Sequence, residues 1–152
     1  MNPELEALVT SLESGTVYRF ADWPLEKLRA DGKPGVYTVW RGDDFIYVGI
    51  SWKEGSKGLF GRLASHASGR RSGDQFCIYV CDLFIVPTLT PEEQRFIAQK
   101  ELRLDTLTRD FVREHLTFRS VHTPTGAEAR AVETHIRRIG LPGKGQPTIN
   151  PL

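Results

Sequence analysis

The sequence lacks both a strong charge of one sign and a long apolar run. Its 152 residues carry 20 Lys and Arg against 19 Asp and Glu, which leaves a formal net charge of +1. The longest apolar run, residues 76–86, is too short to span a bilayer and contains Asp82. Because the net charge does not attract polyanions, any site for one must come from local clusters of basic residues. We expect a globular protein that does not cross a membrane.

Cysteine is also scarce, with only Cys77 and Cys81 in the chain. If both belong to one strand, they share a face but lie about 13 Å apart at roughly 3.3 Å per residue, which is too far for a disulfide. Their spacing does not match that of a zinc hook either. The first residues, 1–6, are acidic and lack the apolar segment of a secretory signal. We therefore expect buried thiols in a cytoplasmic protein.

The clearest local pattern is a β-hairpin over residues 35–50. Two runs rich in β-branched and aromatic residues, 35–41 and 44–50, flank an Arg-Gly-Asp-Asp turn. Tyr37 and Tyr47 each lie near a glycine, in Gly-Val-Tyr and in Tyr-Val-Gly. This pattern predicts two phenols on adjacent strands, with little side-chain bulk around them. Taken alone, tyrosines in strands are more often core residues than catalysts.

The whole chain is typical of an α/β (α+β) domain with a small central, mainly antiparallel sheet flanked by helices. One domain is expected over residues 1–152, with 1–33 as an N-terminal helical extension. The expected strands are 35–41, 44–50, 116–122 and, extending the sheet, 76–86. The expected helices are 2–14, 22–28, 59–67, 91–115 and about 125–139.

A few polar residues stand out against this background: Tyr37, Tyr47, Arg62, His66, Glu133 and Asn150. Arg62 and His66 lie four residues apart, on one face of the predicted helix 59–67. Glu133 lies beside an apolar stripe, where a half-buried carboxylate needs a cation or a metal as partner. A hard divalent cation tolerates one carboxylate when water and phosphate oxygens complete its ligands. A guanidinium such as that of Arg62 donates to two phosphate oxygens at once.

In this order along the chain, these motifs resemble the GIY-YIG nuclease superfamily. The matching elements are Gly-Val-Tyr37, Tyr47-Val-Gly, a helix with Arg62 and His66, a helical Glu133 and a terminal Ile-Asn150-Pro. The resemblance covers roughly residues 34–69 and 116–151. It differs from the family pattern by valine in place of isoleucine at Val36 and Val48. Residues 70–115 form an insertion, and the loop 140–147 is longer than in repair enzymes of the family.

The resemblance implies a divalent-metal-dependent endonuclease that hydrolyses DNA phosphodiester bonds. Glu133 would bind one Mg²⁺ or Mn²⁺ ion, and Arg62 would hold the phosphate and its developing negative charge. Tyr37, assisted by Tyr47 or His66, would position or deprotonate the attacking water. The resemblance does not decide which of the two tyrosines performs this step.

The expected partner is DNA, double-stranded or branched, bound by a monomer or a homodimer. Asn150 would orient a tyrosine or backbone groups at the edge of the sheet. Phosphate contacts are expected from local basic residues, which give salt-dependent affinity with little sequence information. These residues are Lys53, Lys57, Arg70, Arg71, Arg119, Arg130, Arg137, Arg138 and Lys144.

Other interpretations remain open. The chain could be a DNA- or RNA-binding module on this fold that is inactive or needs a partner, or an interaction protein that binds no nucleic acid. Glu133 could form an ordinary helix ion pair with Arg137, four residues on. Glu128 is the other candidate metal ligand, although helix capping explains it better. Trp52 could stack on an exposed base or cover the core.

Overall fold

The computed structural model describes residues 2–29, 32–52 and 58–151. The helices within these ranges are α1 (Pro3–Ser14), α2 (Gly58–Ser68), α3 (Gln75–Val80), α4 (Pro91–Ala98), α5 (Leu104–His115) and α6 (Gly126–Ile139). The strands are β1 (Tyr18–Arg19), β2 (Gly35–Arg41), β3 (Asp44–Ser51) and β4 (Leu116–His122). Short 3₁₀ turns occupy Phe20–Asp22, Glu26–Leu28 and Val86–Thr88, and a π-helical turn occupies Cys81–Ile85.

The strands form one antiparallel sheet in the order β1-β4-β2-β3. Strands β2 and β3 make the hairpin expected from the sequence, and its turn contains Gly42, whose φ of 60° suits glycine. Strand β3 lies at one edge of the sheet, beside β2. The expectation of a small antiparallel sheet flanked by helices is confirmed, and the fold is of the α+β class.

Helices cover both faces of this sheet, because successive residues of a strand point to opposite sides. On one face, Val36 and Val48 of the hairpin pack in a core with residues of α1 and α6. On the other face, Tyr37, Val39 and Tyr47 pack in a core with residues of α2, α3 and α5. Each of the two motif tyrosines therefore points toward α2, while α6 lies behind the sheet.

Residues 76–86 are helical, so the expectation that they form a strand extending the sheet was wrong. The run is apolar on nearly every side, and such a run fits a buried strand as well as a buried helix. Its helical period shows only in the pattern of burial, at Phe76, Cys77, Val80, Cys81 and Ile85. The carboxylate of Asp74 accepts the amide of Cys77 and begins the helix as its N-cap.

Two expected helices also differ from the structure. The expected helix 91–115 is divided into α4 and α5, because the chain turns at Lys100, whose φ of 62° lies in the left-handed region. The expected helix 22–28 consists of single 3₁₀ turns on either side of Pro24. Asp22 ends the first of these turns and pairs with Arg19 instead of capping a helix.

The N-terminal segment contributes a strand to the sheet as well as a helix. Strand β1 follows α1 and pairs with β4, so that Tyr18 lies opposite Phe118. Cys77 and Cys81 are both free and buried, as expected of core thiols. In the described parts of the chain, no helix has both the length and the apolar character that crossing a bilayer requires.

Candidate active site

Glycine at position 49 makes room for the first motif tyrosine. Tyr37 of β2 lies directly opposite Gly49 of β3, and a Cβ atom at Gly49 would collide with the Tyr37 hydroxyl and approach the ring of Tyr47. Gly35 has a similar constraint, because a Cβ there would press on the carbonyl oxygen of Val121. Both glycines are therefore required by close packing, Gly49 against the phenols and Gly35 against the backbone of β4.

The hydroxyl of Tyr37 begins a buried chain of hydrogen bonds. It lies 2.5 Å from Nε2 of His66, and Nδ1 of the same imidazole lies 2.7 Å from Oδ2 of Asp74. Tyr37 and His66 are fully buried, and Asp74 is 1% exposed. The helix α2 supplies the histidine, and the N-cap of α3 supplies the carboxylate. Sequence reasoning singled out Tyr37 and His66 but missed Asp74.

Burial and hydrogen bonding define the charges of this chain. Burial lowers the pKa of His66 below its ordinary 6.5, and this effect outweighs the opposing influence of Asp74. Burial alone would raise the pKa of Asp74, but hydrogen bonds from His66, the Ser65 hydroxyl and the Cys77 amide lower it to about 2. The site therefore pairs a neutral imidazole with a carboxylate anion at neutral pH.

The two phenols keep their protons in this environment. Burial and the neighbouring Tyr47 raise the pKa of Tyr37 well above its ordinary 10.0, although Arg62 opposes the shift. Burial raises the pKa of Tyr47 to about 12, again against Arg62. Tyr47 retains 7% exposure, and its hydroxyl makes no hydrogen bond within the described residues. Tyr47 is therefore the more accessible phenol, whereas the hydroxyl of Tyr37 is bonded to His66.

Arg62 brings a positive charge to the phenols. Burial lowers its pKa, but its interaction with Tyr37 and the nearby Asp74 raise it above the ordinary 12.5, so the guanidinium is charged. Its Nε atom is buried and has no hydrogen-bond partner among residues 2–29, 32–52 and 58–151. A buried donor without a partner is costly, and an acceptor oxygen from a ligand would relieve that cost.

Glu133 lines an open groove of about 500 Å³ between α6 and the C-terminal segment, residues 146–151. Burial raises the pKa of its carboxyl, and Arg137, Arg130 and Arg62 oppose the shift. Its charge also acts on Tyr47, so Glu133 lies within electrostatic range of that phenol. Glu133 and Arg137 make no ion pair at contact distance, and one amino group of Arg137 donates to the carbonyl oxygen of Pro151.

Asn150 holds the C-terminal segment against the open edge of the sheet. Its side-chain oxygen accepts the amide of Val48 at 2.8 Å, and its side-chain nitrogen donates to the carbonyl oxygen of Val48 at 3.0 Å. The amide of Ile149 donates to the carbonyl oxygen of Ile46 at 2.9 Å. These bonds satisfy backbone groups of β3 that the sheet itself leaves free. The segment thereby forms one wall of the groove that contains Glu133.

The candidate DNA contacts separate into two groups. Arg130, Arg137 and Arg138 line the groove with Glu133, and Arg130 also lies 5.0 Å over the ring of Trp52, which is 47% exposed. The others lie elsewhere. Arg70 is exposed near the start of α3, and Arg71 pairs with Asp105. Arg119 donates to the carbonyl oxygen of Gly15 and lies over the ring of Trp40, and Lys144 lines a different cavity. Lys53 and Lys57 lie outside the described residues.

A second cluster has the composition of a metal site. One ligand atom each from His66, Asp74 and Cys77 lies within 4.8 Å of the others. All three residues already take part in hydrogen bonds, since the Cys77 thiol donates to the carbonyl oxygen of His66. Burial also raises the pKa of that thiol, which disfavours the thiolate that binds metals. We interpret the cluster as a hydrogen-bond network.

The protein has an α+β fold. The network of Tyr37, His66 and Asp74, with Tyr47 and Arg62 beside it, forms a polar, largely buried site near the edge strand β3. Comparisons of the chain with family models, with curated proteins and with solved structures found no match.

Proposed function

We propose that the protein is a divalent-metal-dependent endonuclease of the GIY-YIG type, which hydrolyses phosphodiester bonds in DNA. The observation that carries the proposal is the convergence of residues singled out by the sequence motifs. Tyr37 bonds to His66, and Arg62 interacts with both phenols. Glu133 acts electrostatically on Arg62 and Tyr47 from the groove beside them. Core residues with separate structural roles would not be expected to bring a phenol, an imidazole, a guanidinium and a carboxylate together in this way.

The groove suits an oxygen-binding cation that is shared with a phosphate. Glu133 makes no hydrogen bond or ion pair with any residue the structure describes, and its half-buried carboxylate faces the groove. Mg²⁺ and Mn²⁺ accept a single carboxylate when water and phosphate oxygens provide the other ligands. When bound, such an ion would stabilise negative charge on the phosphate and on the leaving oxygen. The surrounding arginines favour a phosphate in the same groove.

The remaining residues of the site would bind the phosphate and position or deprotonate the attacking water. Arg62 would turn its unpaired Nε donor to a phosphate oxygen and hold the charge that develops there. Tyr47, the more exposed phenol, would orient the attacking water. The proton from water would pass to the oxygen of Tyr37 as the proton of Tyr37 moves to Nε2 of His66.

The test is cleavage of supercoiled plasmid and of branched DNA with Mg²⁺ or Mn²⁺. Wild type is expected to cut, and Glu133→Ala and Arg62→Ala are each expected to lose about 10²-fold or more of the rate. Glu128→Ala is the matched control, because Glu128 is an exposed glutamate in the first turn of the same helix. Circular dichroism and unfolding curves establish that each variant is folded. Activity that survives in Glu133→Ala would overturn the site assignment.

A nucleic-acid-binding module without activity is the second candidate. The observation in its favour is the group of arginines on α6, which can contact phosphates without any chemistry. It predicts that wild type and Glu133→Gln both bind DNA in a salt-dependent manner and that neither cuts it. Cleavage by wild type that Glu133→Gln abolishes would exclude this candidate.

A further inference from the structure

We propose that Asp74 is a positioning residue that fixes His66 as the Nδ1–H tautomer and so directs Nε2 to accept the proton of Tyr37. Its part in hydrolysis rests on the proposed nuclease function, whereas the tautomer it selects does not. The sequence motifs contain no counterpart of Asp74, which lies in the segment interpreted above as an insertion.

Three hydrogen bonds fix the carboxylate of Asp74 in place. Its Oδ1 accepts the amide of Cys77 at 3.0 Å, and its Oδ2 accepts the Ser65 hydroxyl at 2.6 Å. The same Oδ2 lies 2.7 Å from Nδ1 of His66. An ionised carboxylate only accepts hydrogen bonds, so the imidazole must donate from Nδ1. A neutral imidazole that donates from Nδ1 has an unprotonated Nε2, which can only accept.

The direction of the remaining bonds follows from this assignment. Nε2 of His66 accepts, so the hydroxyl of Tyr37 donates its proton to it. The lone pairs of the Tyr37 oxygen are then available to Arg62, which has only donors. Hydrogen bonds therefore run in one direction from Tyr37 through His66 to Asp74, with the positive charge of Arg62 beside the Tyr37 end. In the opposite tautomer, Nδ1 and Oδ2 would face each other as two acceptors 2.7 Å apart.

The groups around His66 make Asp74 the anion of the network. The ionisable neighbours are Tyr37 on β2, Tyr47 on β3, Arg62 on α2 and, from the segment that begins α3, Asp74 and Cys77. Both phenols and the thiol are neutral at neutral pH, because burial raises their pKa values. Asp74 is thus the negative charge available to stabilise an imidazolium when His66 receives a proton.

The substitution Asp74→Asn tests the assignment with little change in side-chain volume. If the asparagine oxygen keeps the amide of Cys77, its NH₂ group faces Nδ1 of His66 and donates to it. The imidazole then protonates Nε2, which removes the acceptor for Tyr37. Long-range ¹H–¹⁵N spectra of the free protein are expected to show His66 protonated on Nδ1 in wild type and on Nε2 in Asp74→Asn. The His66 signals are identified by their loss in His66→Gln.

Kinetics test the role in the reaction. Asp74→Asn is expected to lower the cleavage rate at saturating DNA by about 10²–10⁴-fold, the usual contribution of proton transfer by a positioned group. Affinity for DNA, measured with Ca²⁺ in place of the active metal, should stay close to that of wild type. The control is Asp110→Asn, a surface aspartate paired with Arg109, which should match wild type in both measurements.

Several outcomes would overturn the proposal. One is a wild-type His66 protonated on Nε2, and another is an unchanged tautomer in Asp74→Asn. Full cleavage activity in a folded Asp74→Asn with a reversed tautomer would overturn the positioning role. If Asp74→Asn does not fold, Tyr37→Phe replaces it: the Nδ1–H tautomer should persist there, because Asp74 is intact, and its loss would count against Asp74. A wild type that cuts no DNA overturns the nuclease function and the role in hydrolysis, while the spectra still decide the tautomer.

Discussion

The phenol of Tyr37 occupies the space that a side chain at position 49 would need, and the effect of this close packing on stability can be measured. A Cβ atom at Gly49 would meet Oη and Cζ of Tyr37 and come within 2.9 Å of the ring of Tyr47. Because all three residues are buried in the sheet, the neighbours have little room to adjust. Gly49→Ala is expected to lower the free energy of unfolding by about 1–3 kcal/mol, the usual cost of overpacking a core.

A double-mutant cycle identifies the tyrosine as the cause. Tyr37→Phe removes the hydroxyl that the new methyl group would strike, so Gly49→Ala should cost less in that background. The difference is expected to be about 0.5 kcal/mol or more, as for residues in direct contact. Urea unfolding of the four proteins, followed by tryptophan fluorescence, measures all sides of the cycle. Strict additivity would mean that the alanine does not press on the hydroxyl, which would contradict the packing described here.

Among single residues, the sequence identifies those whose role depends on their immediate neighbours in the chain. Tyr37 and Tyr47 stand beside glycines on adjacent strands, and both features are visible in the sequence. Asp74 is different, because its importance depends on His66, which lies eight residues away on another helix. The available signal was an aspartate before an apolar run, which is typical of a helix N-cap. Because the apolar run that follows fits a buried strand as well as a helix, this signal does not by itself identify a helix.

The elements of the fold were predictable where a period or a turn signal was present. The hairpin has a glycine-containing turn, and α6 begins at Thr125, whose hydroxyl accepts the amide of Glu128. The segment 76–86 offered neither, since apolar residues surround the helix and conceal its period. The break between α4 and α5 is equally hidden, because it occurs at Lys100 instead of at glycine or proline. Tertiary packing, which no local pattern reports, decides both cases.

The helical state of this segment has a consequence for the site. As a strand, residues 76–86 would have extended the sheet, and Asp74 would have been a loop residue. As a helix, the segment places its N-cap against α2, so that Asp74 reaches both Ser65 and His66. The segment 70–115 therefore contributes a side chain, that of Asp74, to the same network as Tyr37. Tyr37, His66 and Asp74, which come from three different elements, form one hydrogen-bond network.

For the molecule as a whole, the buried His66 and Asp74 predict how stability depends on pH. Burial holds the folded pKa of His66 below 6.5, so the unfolded chain gains a proton first as pH falls. The free energy of unfolding should be greatest above pH 6.5 and decrease below it. Asp74 should add a loss of about 2 kcal/mol between pH 3.8 and about 2, because its folded pKa is the lower one. Glu133 acts in the opposite direction, and its stabilisation is present below pH 4.5.

Urea unfolding at a series of pH values tests this prediction. His66→Gln should flatten the decrease between pH 8 and pH 5, while His122→Gln, at an exposed position of β4, should keep it. The comparison concerns the slope, because His66→Gln also removes hydrogen bonds and lowers stability at every pH. An unchanged slope in His66→Gln would show that other groups cause the loss in acid.

If the proposed function is correct, the arrangement of charge over the whole molecule separates the basic residues that would contact DNA from those that are bonded within the fold. The chain has a net charge of only +1, so the proposed affinity for DNA would depend on a local cluster such as the groove, where Arg130 and Arg138 are exposed. Arg71 is already paired with Asp105 at 2.7 Å, and a cation that is neutralised in this way releases few counterions on binding.

Binding of a DNA duplex, measured without divalent metal over a range of salt concentrations, distinguishes these groups. Arg130→Ala and Arg138→Ala should each reduce the magnitude of the slope of log K against log salt by about 1, because each removes one phosphate contact. Arg71→Ala should leave the slope unchanged. If instead Arg71→Ala reduces the slope and the α6 variants do not, the DNA path lies over the insertion. The carboxylate of Glu133 would then be remote from the phosphates, and the groove would lose its place as the site of cleavage.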